Sequence, residues 1–288
     1  MIKFYISLTA FVFFTLTSCS SLKKRLSDRT RTDTLSIVQS SIETSKIKNP
    51  YYDVNFQLDL FQKNISFYGG NAIENWKLFI QNDSSFTFEL NGKKTVFEFS
   101  KASQAQNIAA IKYHSKKIIQ TTDTTQHKKS ITIILSEQLD LKGASIIYAP
   151  FSVNVTIDDD STSTIYSGDG FYTTNPALHE IWVLDSLNNE KADAVKFPEG
   201  LPRLEFHLDG GKVYGFSGCN ELTGTYFIIQ DKIKFNPLAS TMKFCMNTPG
   251  EMIFLDVLNK NYFDYRIDNL RLTLQHRDKI KLVFKKVD

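Results

Sequence analysis

The sequence predicts a mainly β protein, with two β-rich domains behind a short N-terminal address and a polar linker. Three observations carry this prediction. Aromatic residues are abundant, with 23 Phe and 12 Tyr against 13 Gly and 7 Pro in 288 residues. They alternate with β-branched and polar residues in short runs bounded by Asn, Asp and Gly, the pattern of half-buried strands joined by turns. Two such blocks are each preceded by Glu-x-Trp-x-Leu, at Glu74–Leu78 and Glu180–Leu184. The two tryptophans, Trp76 and Trp182, are expected to plug two separate cores.

The address comes first. The apolar run Phe4–Leu16 follows Lys3 and closes on Leu16-Thr17-Ser18-Cys19. It is too short for a bilayer-spanning helix, which needs roughly 20 apolar residues. A basic start, a short apolar core and small residues at the cut describe a secretory signal. Leu-x-x-Cys resembles the bacterial lipobox, which implies a signal peptide over residues 1–18, cleavage before Cys19, and lipid on its sulfur and new amino group. Residues 19–50 are rich in Ser, Thr, Lys and Arg without apolar period and read as a lipidated tether. Its cluster Lys23-Lys24-Arg25 either touches anionic head groups or is a solvated stalk. After the signal there is no second apolar run near 18 residues, so the lipid is the expected membrane attachment. Ser20 stands where an Asp would signal inner-membrane retention, and the basic cluster is unlike acidic export signals. The expected location is the outer membrane, lipid-anchored and facing the periplasm.

Charge and cysteine count narrow the function. Lys and Arg number 34 against 31 Asp and Glu, a near balance that gives no footing for nucleic acid. Of the three cysteines, lipidation consumes Cys19. Cys219 and Cys245 remain, as a disulfide or as two buried thiols. An even pair in a compartment outside the cytoplasm favours the disulfide.

The first block, residues 51–174, is expected to run in strands from Tyr51 onward. Phe86–Leu90 and Val96–Phe99 flank Asn91-Gly92, a strong hairpin signal. Ile131–Leu135 and Phe151–Ile157 are further strands. Asp158-Asp159-Asp160 ends the latter and reads as a solvated turn, since no Asp-x-Asp-x-Asp-Gly calcium loop surrounds it. The second block, residues 175–288, follows the turn Asn175-Pro176. Leu204–Leu208 turns at Asp209-Gly210-Gly211 into Val213–Phe216, and Tyr226–Ile229 pairs with Ile233–Phe235. One helix is expected after Thr248, with Pro249 at its first position, a capping box to Glu251, and Phe254, Val257 and Leu258 on its apolar face. Strands around Ile267, Leu272 and Leu282 complete the chain.

Catalytic constellations are missing from this pattern. The five histidines, His114, His127, His179, His207 and His276, show no metal-ligand spacing. Gly215-Phe-Ser217-Gly-Cys219 approaches a nucleophile elbow, but Cys219 stands where that motif needs Gly, and the segment lies between strands. No catalytic residue, metal site or cofactor is expected.

One ordered set of residues resembles a known family. Trp182-Val-Leu184, Leu204-Glu-Phe206, Val213 to Gly218-Cys219-Asn220, Gly224-Thr-Tyr226, Thr241-Met242, Cys245, Glu251 and Phe254-Leu255 together resemble the META domain of HslJ-like envelope proteins, over about residues 178 to 286. In the family pattern the second cysteine usually follows Met after one residue; here Lys243 and Phe244 intervene. The resemblance implies a small β domain, a cracked barrel with one α-helix, in proteins associated with heat shock, antibiotic tolerance, motility or secretion. It assigns Gly218, Asn220, Gly224 and Thr241 to turns, side-chain caps and a strand edge. More faintly, Gly70-Asn71, Glu74, Trp76, Leu78, Ala149-Pro150 and Tyr166-Ser-Gly168-Asp-Gly170 resemble a β domain that often precedes META domains in lipoproteins. Asp169 stands where that family often has Cys.

The resemblance and the anchor lead to a non-enzymatic envelope-stress or assembly factor that binds an envelope protein. The alternative is a small-ligand or lipid carrier with a β-barrel cavity. A contiguous apolar pocket would favour the carrier, and a side-chain-filled core would oppose it.

Overall fold

The protein is described by a computed structural model, which places residues 49–287 except 83, 105–109, 117, 122–128, 139–148, 161, 261, 278 and 279. The signal segment, Cys19, the tether as far as residue 48, and His127 lie outside the described residues.

The first described helix corrects the expectation of strands from Tyr51. Val54, Phe56, Leu58 and Leu60 alternate as a strand would, yet α1 (Val54–Gln62) is helical. Asp53 sets its start by accepting a hydrogen bond from the Phe56 N–H. The face that matters is Gln57 and Leu60, both buried, and a three-residue step is helical periodicity.

Ten strands follow: β1 (Ile65–Asn71), β2 (Trp76–Gln81), β3 (Ser85–Leu90), β4 (Lys93–Glu98), β5 (Ser103–Gln104), β6 (Ala110–Ser115), β7 (Ile118–Thr121), β8 (Lys129–Glu137), β9 (Phe151–Asp159) and β10 (Thr162–Tyr172). They form one antiparallel sheet in the order β5-β6-β8-β9-β10-β1-β2-β3-β4-β7. The β3–β4 hairpin turns on Asn91 and Gly92, both at positive φ, with Leu90 opposite Lys93. The sheet curls into a half-barrel, bringing Phe86 of β3 within 5.4 Å of Tyr113 of β6. Gly70, Asn71, Glu74, Trp76 and Gly168 meet at one corner of it. The Trp76 indole N–H donates to Glu74, the Asn71 amide donates to the Ser167 carbonyl, and Gly168 lets β10 cross against Gly70 and the Trp76 ring.

A second antiparallel sheet follows, from β11 (Ile181–Leu187), β12 (Glu190–Lys191), β13 (Arg203–His207), β14 (Lys212–Phe216), β15 (Glu221–Ile229), β16 (Lys232–Phe235), β17 (Ala239–Ser240), β18 (Tyr262–Asp268), β19 (Arg271–His276) and β20 (Ile280–Val287). The order β11-β13-β14-β15-β16-β18-β19-β20 closes on itself, because β11 also pairs with β20 from Ile181↔Val287 to Leu187↔Leu282. Closure leaves these eight strands without an open edge. The seam between β11 and β13 is short, with pairs only from Ile181↔Glu205 to Val183↔Arg203. Helix α2 (Pro249–Leu258) packs Phe254 on Phe284 of the barrel at 6.4 Å between ring centres.

The expected capping box does not form. Thr248 makes no side-chain cap, and the Glu251 carboxylate turns to Ser217 and Asn220 instead. A second expectation, two separate cores, also fails. The buried side chains around Trp76 and Trp182 belong to one connected cluster. The junction is legible in β15. Its burial alternates at first, then Tyr226–Ile229 are buried without a break. The face that would meet water is covered by the first block: Phe227 meets Phe151 at 5.8 Å, and Lys234 of β16 pairs with Glu137 of β8. Tyr51 donates from its hydroxyl to the Tyr226 carbonyl, and the Gln57 amide donates to the carbonyls of Tyr51 and Leu208. Burial pushes the phenol pKa values of both Tyr51 and Tyr226 upward.

No described strand is shared between the sheets, and the barrel's hydrogen bonds close within residues 181–287. A fragment of residues 175–288 is therefore expected to give a dispersed NMR spectrum and a cooperative melt when made in an oxidising compartment. A disordered fragment would show that the cover over Phe227 is required for folding.

Candidate functional site

The residues of the META-like motif converge on one corner of the barrel, between the end of β14 and the start of α2. Ser217-Gly218-Cys219-Asn220 makes the β14–β15 turn, closed by the Ser217 N–H donating to the Asn220 carbonyl at 2.8 Å. Gly218 takes φ +107°, and the Phe197 ring occupies the space where a side chain would begin. Asn220 is the hub. Its Oδ1 accepts from the Thr241 hydroxyl at 2.9 Å and from the Lys243 N–H at 2.7 Å. Its Nδ2 donates to Glu251 Oε1 at 3.0 Å, and its backbone N–H to the same oxygen at 3.1 Å. The Ser217 hydroxyl also donates to Glu251 Oε1. A buried carboxylate is tolerable when several donors replace its water, and this one has three.

This hub fixes an unusual surface. Residues 241 to 246 lead from β17 toward α2 without regular secondary structure, with a bend at Met246, and alternate members are tied down. Thr241 holds Asn220 and accepts from the Glu221 N–H at 3.1 Å. The Lys243 N–H is held by Asn220, and Cys245 is joined to Cys219 with Cα atoms 6.1 Å apart, inside the range a disulfide requires. The intervening residues project away. Met242 is 99% exposed, Phe244 92% and Met246 74%. Helix α2 adds Met252 at 75% and Ile253 at 52%. The loop Asp193–Phe197 lies against the same helix end, where the Gly250 N–H donates to the Lys196 carbonyl, and it carries exposed Val195. Isolated exposed apolar residues are ordinary; six on adjoining segments are not.

Of these residues, the sequence singled out only Met242 as part of the motif. Phe244, Met246, Met252 and Val195 were missed. A compositional signal was present: three of the chain's four methionines fall between positions 242 and 252. The other motif residues lie inside the barrel wall. Trp182 is buried and donates to the Leu178 carbonyl at 3.0 Å, and Gly224 gives room to Leu238.

Elsewhere the chemistry is modest. His207 pairs with Glu205 at 2.8 Å and stacks edge-on near His179, while Asp209 pairs with Lys212. Ser217 is fully buried and committed to Asn220 and Glu251. An open cleft of about 460 Å³ lies on the outer wall between Arg203, Tyr214, Glu221 and Ser240, with Arg203 over the Phe216 ring and 3.7 Å from Glu221. A smaller hollow of about 180 Å³ opens at the mouth of the half-barrel beside Phe88, Lys129 and Tyr166. Aromatic and aliphatic side chains fill both sheet interiors, Phe67, Phe86 and Val153 in one and Phe206, Phe235 and Leu274 in the other.

Comparison with known proteins agrees with the motif. The family model of the META domain matches residues 176–288. An NMR structure of one protein is similar at 20% identity over 39% of this chain and 95% of that one, with a TM-score of 0.33. A second, from Burkholderia xenovorans, is 26% identical over 39% of this chain and 88% of that one, with a TM-score of 0.32. No curated protein matches the chain. Motif, closed barrel and family model coincide on one stretch: residues 176–288 match the META domain.

Proposed function

We propose that the chain is a non-enzymatic lipoprotein, anchored by lipid on Cys19 to the outer membrane and facing the periplasm, which acts as an envelope-stress or assembly factor by binding. The observation that carries the binding reading is the apolar corner, with Met242, Phe244 and Met246 held outward by a buried hub. Flexible, polarisable thioethers suit a surface that accepts apolar partners without a fixed shape. The interiors packed with side chains speak against an enclosed ligand.

The test has two parts. Cys19→Ala is expected to abolish palmitate labelling and to release the protein from membranes; a variant that still incorporates palmitate refutes the anchor. In a strain lacking the protein, tolerance of envelope stress is expected to be restored by the native chain and not by Cys19→Ala or by Phe244→Ser. Full rescue by a normally folded Phe244→Ser protein would show that this corner is not the binding surface.

A further inference from the structure

We infer that the occupant of the apolar corner is the lipid bilayer itself, so that the META domain docks on the membrane that carries it. This inference rests on the anchored-protein reading above. Three features favour lipid over a protein partner. The first is shape. Met242 and Phe244 are almost wholly exposed and so protrude from the surface. A protein partner would need a pocket matched to each protrusion, whereas the acyl boundary yields to any apolar shape.

The second is charge. Lys243 stands exposed between Met242 and Phe244, where its ammonium meets phosphate as its neighbours enter the apolar layer. Of the acids at this corner, Glu251 is turned inward onto Ser217 and Asn220, while Asp193 is exposed and accepts from the Val195 and Lys196 N–H groups. The third is reach. Twenty-nine residues lie between Cys19 and Asn49. Whatever their conformation, they span at most about 100 Å, which keeps Asn49 within that distance of the anchor and the bilayer within reach of the folded body.

The experiment uses the full lipidated chain reconstituted in phosphatidylcholine–phosphatidylglycerol vesicles, with and without bromine on the acyl chains. Trp76 and Trp182 are buried and supply a constant background. Phe244→Trp adds a probe at the corner. Ile73→Trp adds one at an exposed position of the first block, between β1 and β2. In vesicles the Phe244→Trp emission is expected to shift to the blue, and most of the added fluorescence is lost in brominated lipid, while the Ile73→Trp signal stays unchanged. Both substitutions are at exposed sites, and a native melting curve confirms that each protein is folded.

The outcomes separate the two readings. Palmitate on the chain with an unquenched Phe244→Trp overturns bilayer docking and leaves the anchor standing. A native chain without palmitate overturns both. A blue shift in detergent that grows with protein concentration assigns the corner to a second copy and overturns the inference.

Discussion

Replacing Cys219 and Cys245 together by serine is expected to lower the stability of the META domain by about 3.5 kcal/mol, the chain-entropy value for a bridge across this separation. The two residues are 26 apart in sequence. For a protein of this size the loss corresponds to a fall in Tm of roughly 7–14 °C. The consequence reaches beyond stability, because the bridge is one of the ties that hold residues 241–246 in place. Asn220 supplies the others, through Thr241 and the Lys243 N–H. In the serine variant those hydrogen bonds remain, so the barrel is expected to keep its fold while the segment loosens toward α2. Amide exchange should therefore rise at Phe244–Asn247 and stay slow in β14 and β15. Reducing agent added to the native protein should reproduce both effects. A double-serine protein that melts within 1–2 °C of the native one would show that the bridge closes a loop already fixed by Asn220.

The fold was legible where alternation and turn chemistry agreed. Asn91-Gly92 between alternating runs can hardly be read otherwise, and the β3–β4 hairpin turns on those residues. Helix α1 was illegible for the converse reason. Its apolar residues alternate at period two, and only Asp53 as an N-cap, together with the burial of Gln57 and Leu60, reveals the helix. Thr248–Glu251 misled in a related way. The capping-box spacing is present, but a buried Asn220 competes for the same carboxylate and wins, because three donors inside the protein outweigh one at an exposed helix end. The joining of the two cores was written in Tyr226-Phe-Ile-Ile229. An unbroken apolar run marks a strand covered on both faces, and only the structure shows that the cover is the first block.

The candidate site was half visible. The motif gave the hub, since Asn220, Thr241 and Cys219 belong to the META pattern. The display that the hub supports was hidden, because apolar residues in a loop read as ordinary core material until the backbone ties of their neighbours are known. The ties at 241, 243 and 245 fix the backbone from which Met242, Phe244 and Met246 stand exposed.

Gly211→Ala is expected to be the most damaging glycine-to-alanine change among the described residues. Gly211 sits in the β13–β14 turn at φ +61°. A Cβ there would overlap the backbone carbonyl of Tyr226 and crowd the Tyr51 hydroxyl. The Tyr226 N–H donates to the Gly211 carbonyl at 2.6 Å, so the turn cannot retreat without losing that bond. Nor can Tyr226 yield freely, because its carbonyl accepts from the Tyr51 hydroxyl, and its ring packs on Phe206 at 5.1 Å within the barrel. Gly92→Ala separates the two costs. Gly92 also has positive φ, at +79°, but nothing lies within 4 Å of its added carbon. The conformational penalty shared by both substitutions is about 1–2 kcal/mol. The overlap at Gly211 should raise its total to about 3–5 kcal/mol, the range reached when a backbone contact in a packed interior is forced apart. The loss should also weaken the seam between the blocks, because the same movement displaces Tyr51 from Tyr226. Limited proteolysis of the Gly211→Ala protein should therefore cut near Tyr51–Val54 earlier than in the native chain. Equal destabilisation by Gly92→Ala and Gly211→Ala would show that backbone conformation alone, and not the close approach of Tyr226, sets the requirement for glycine.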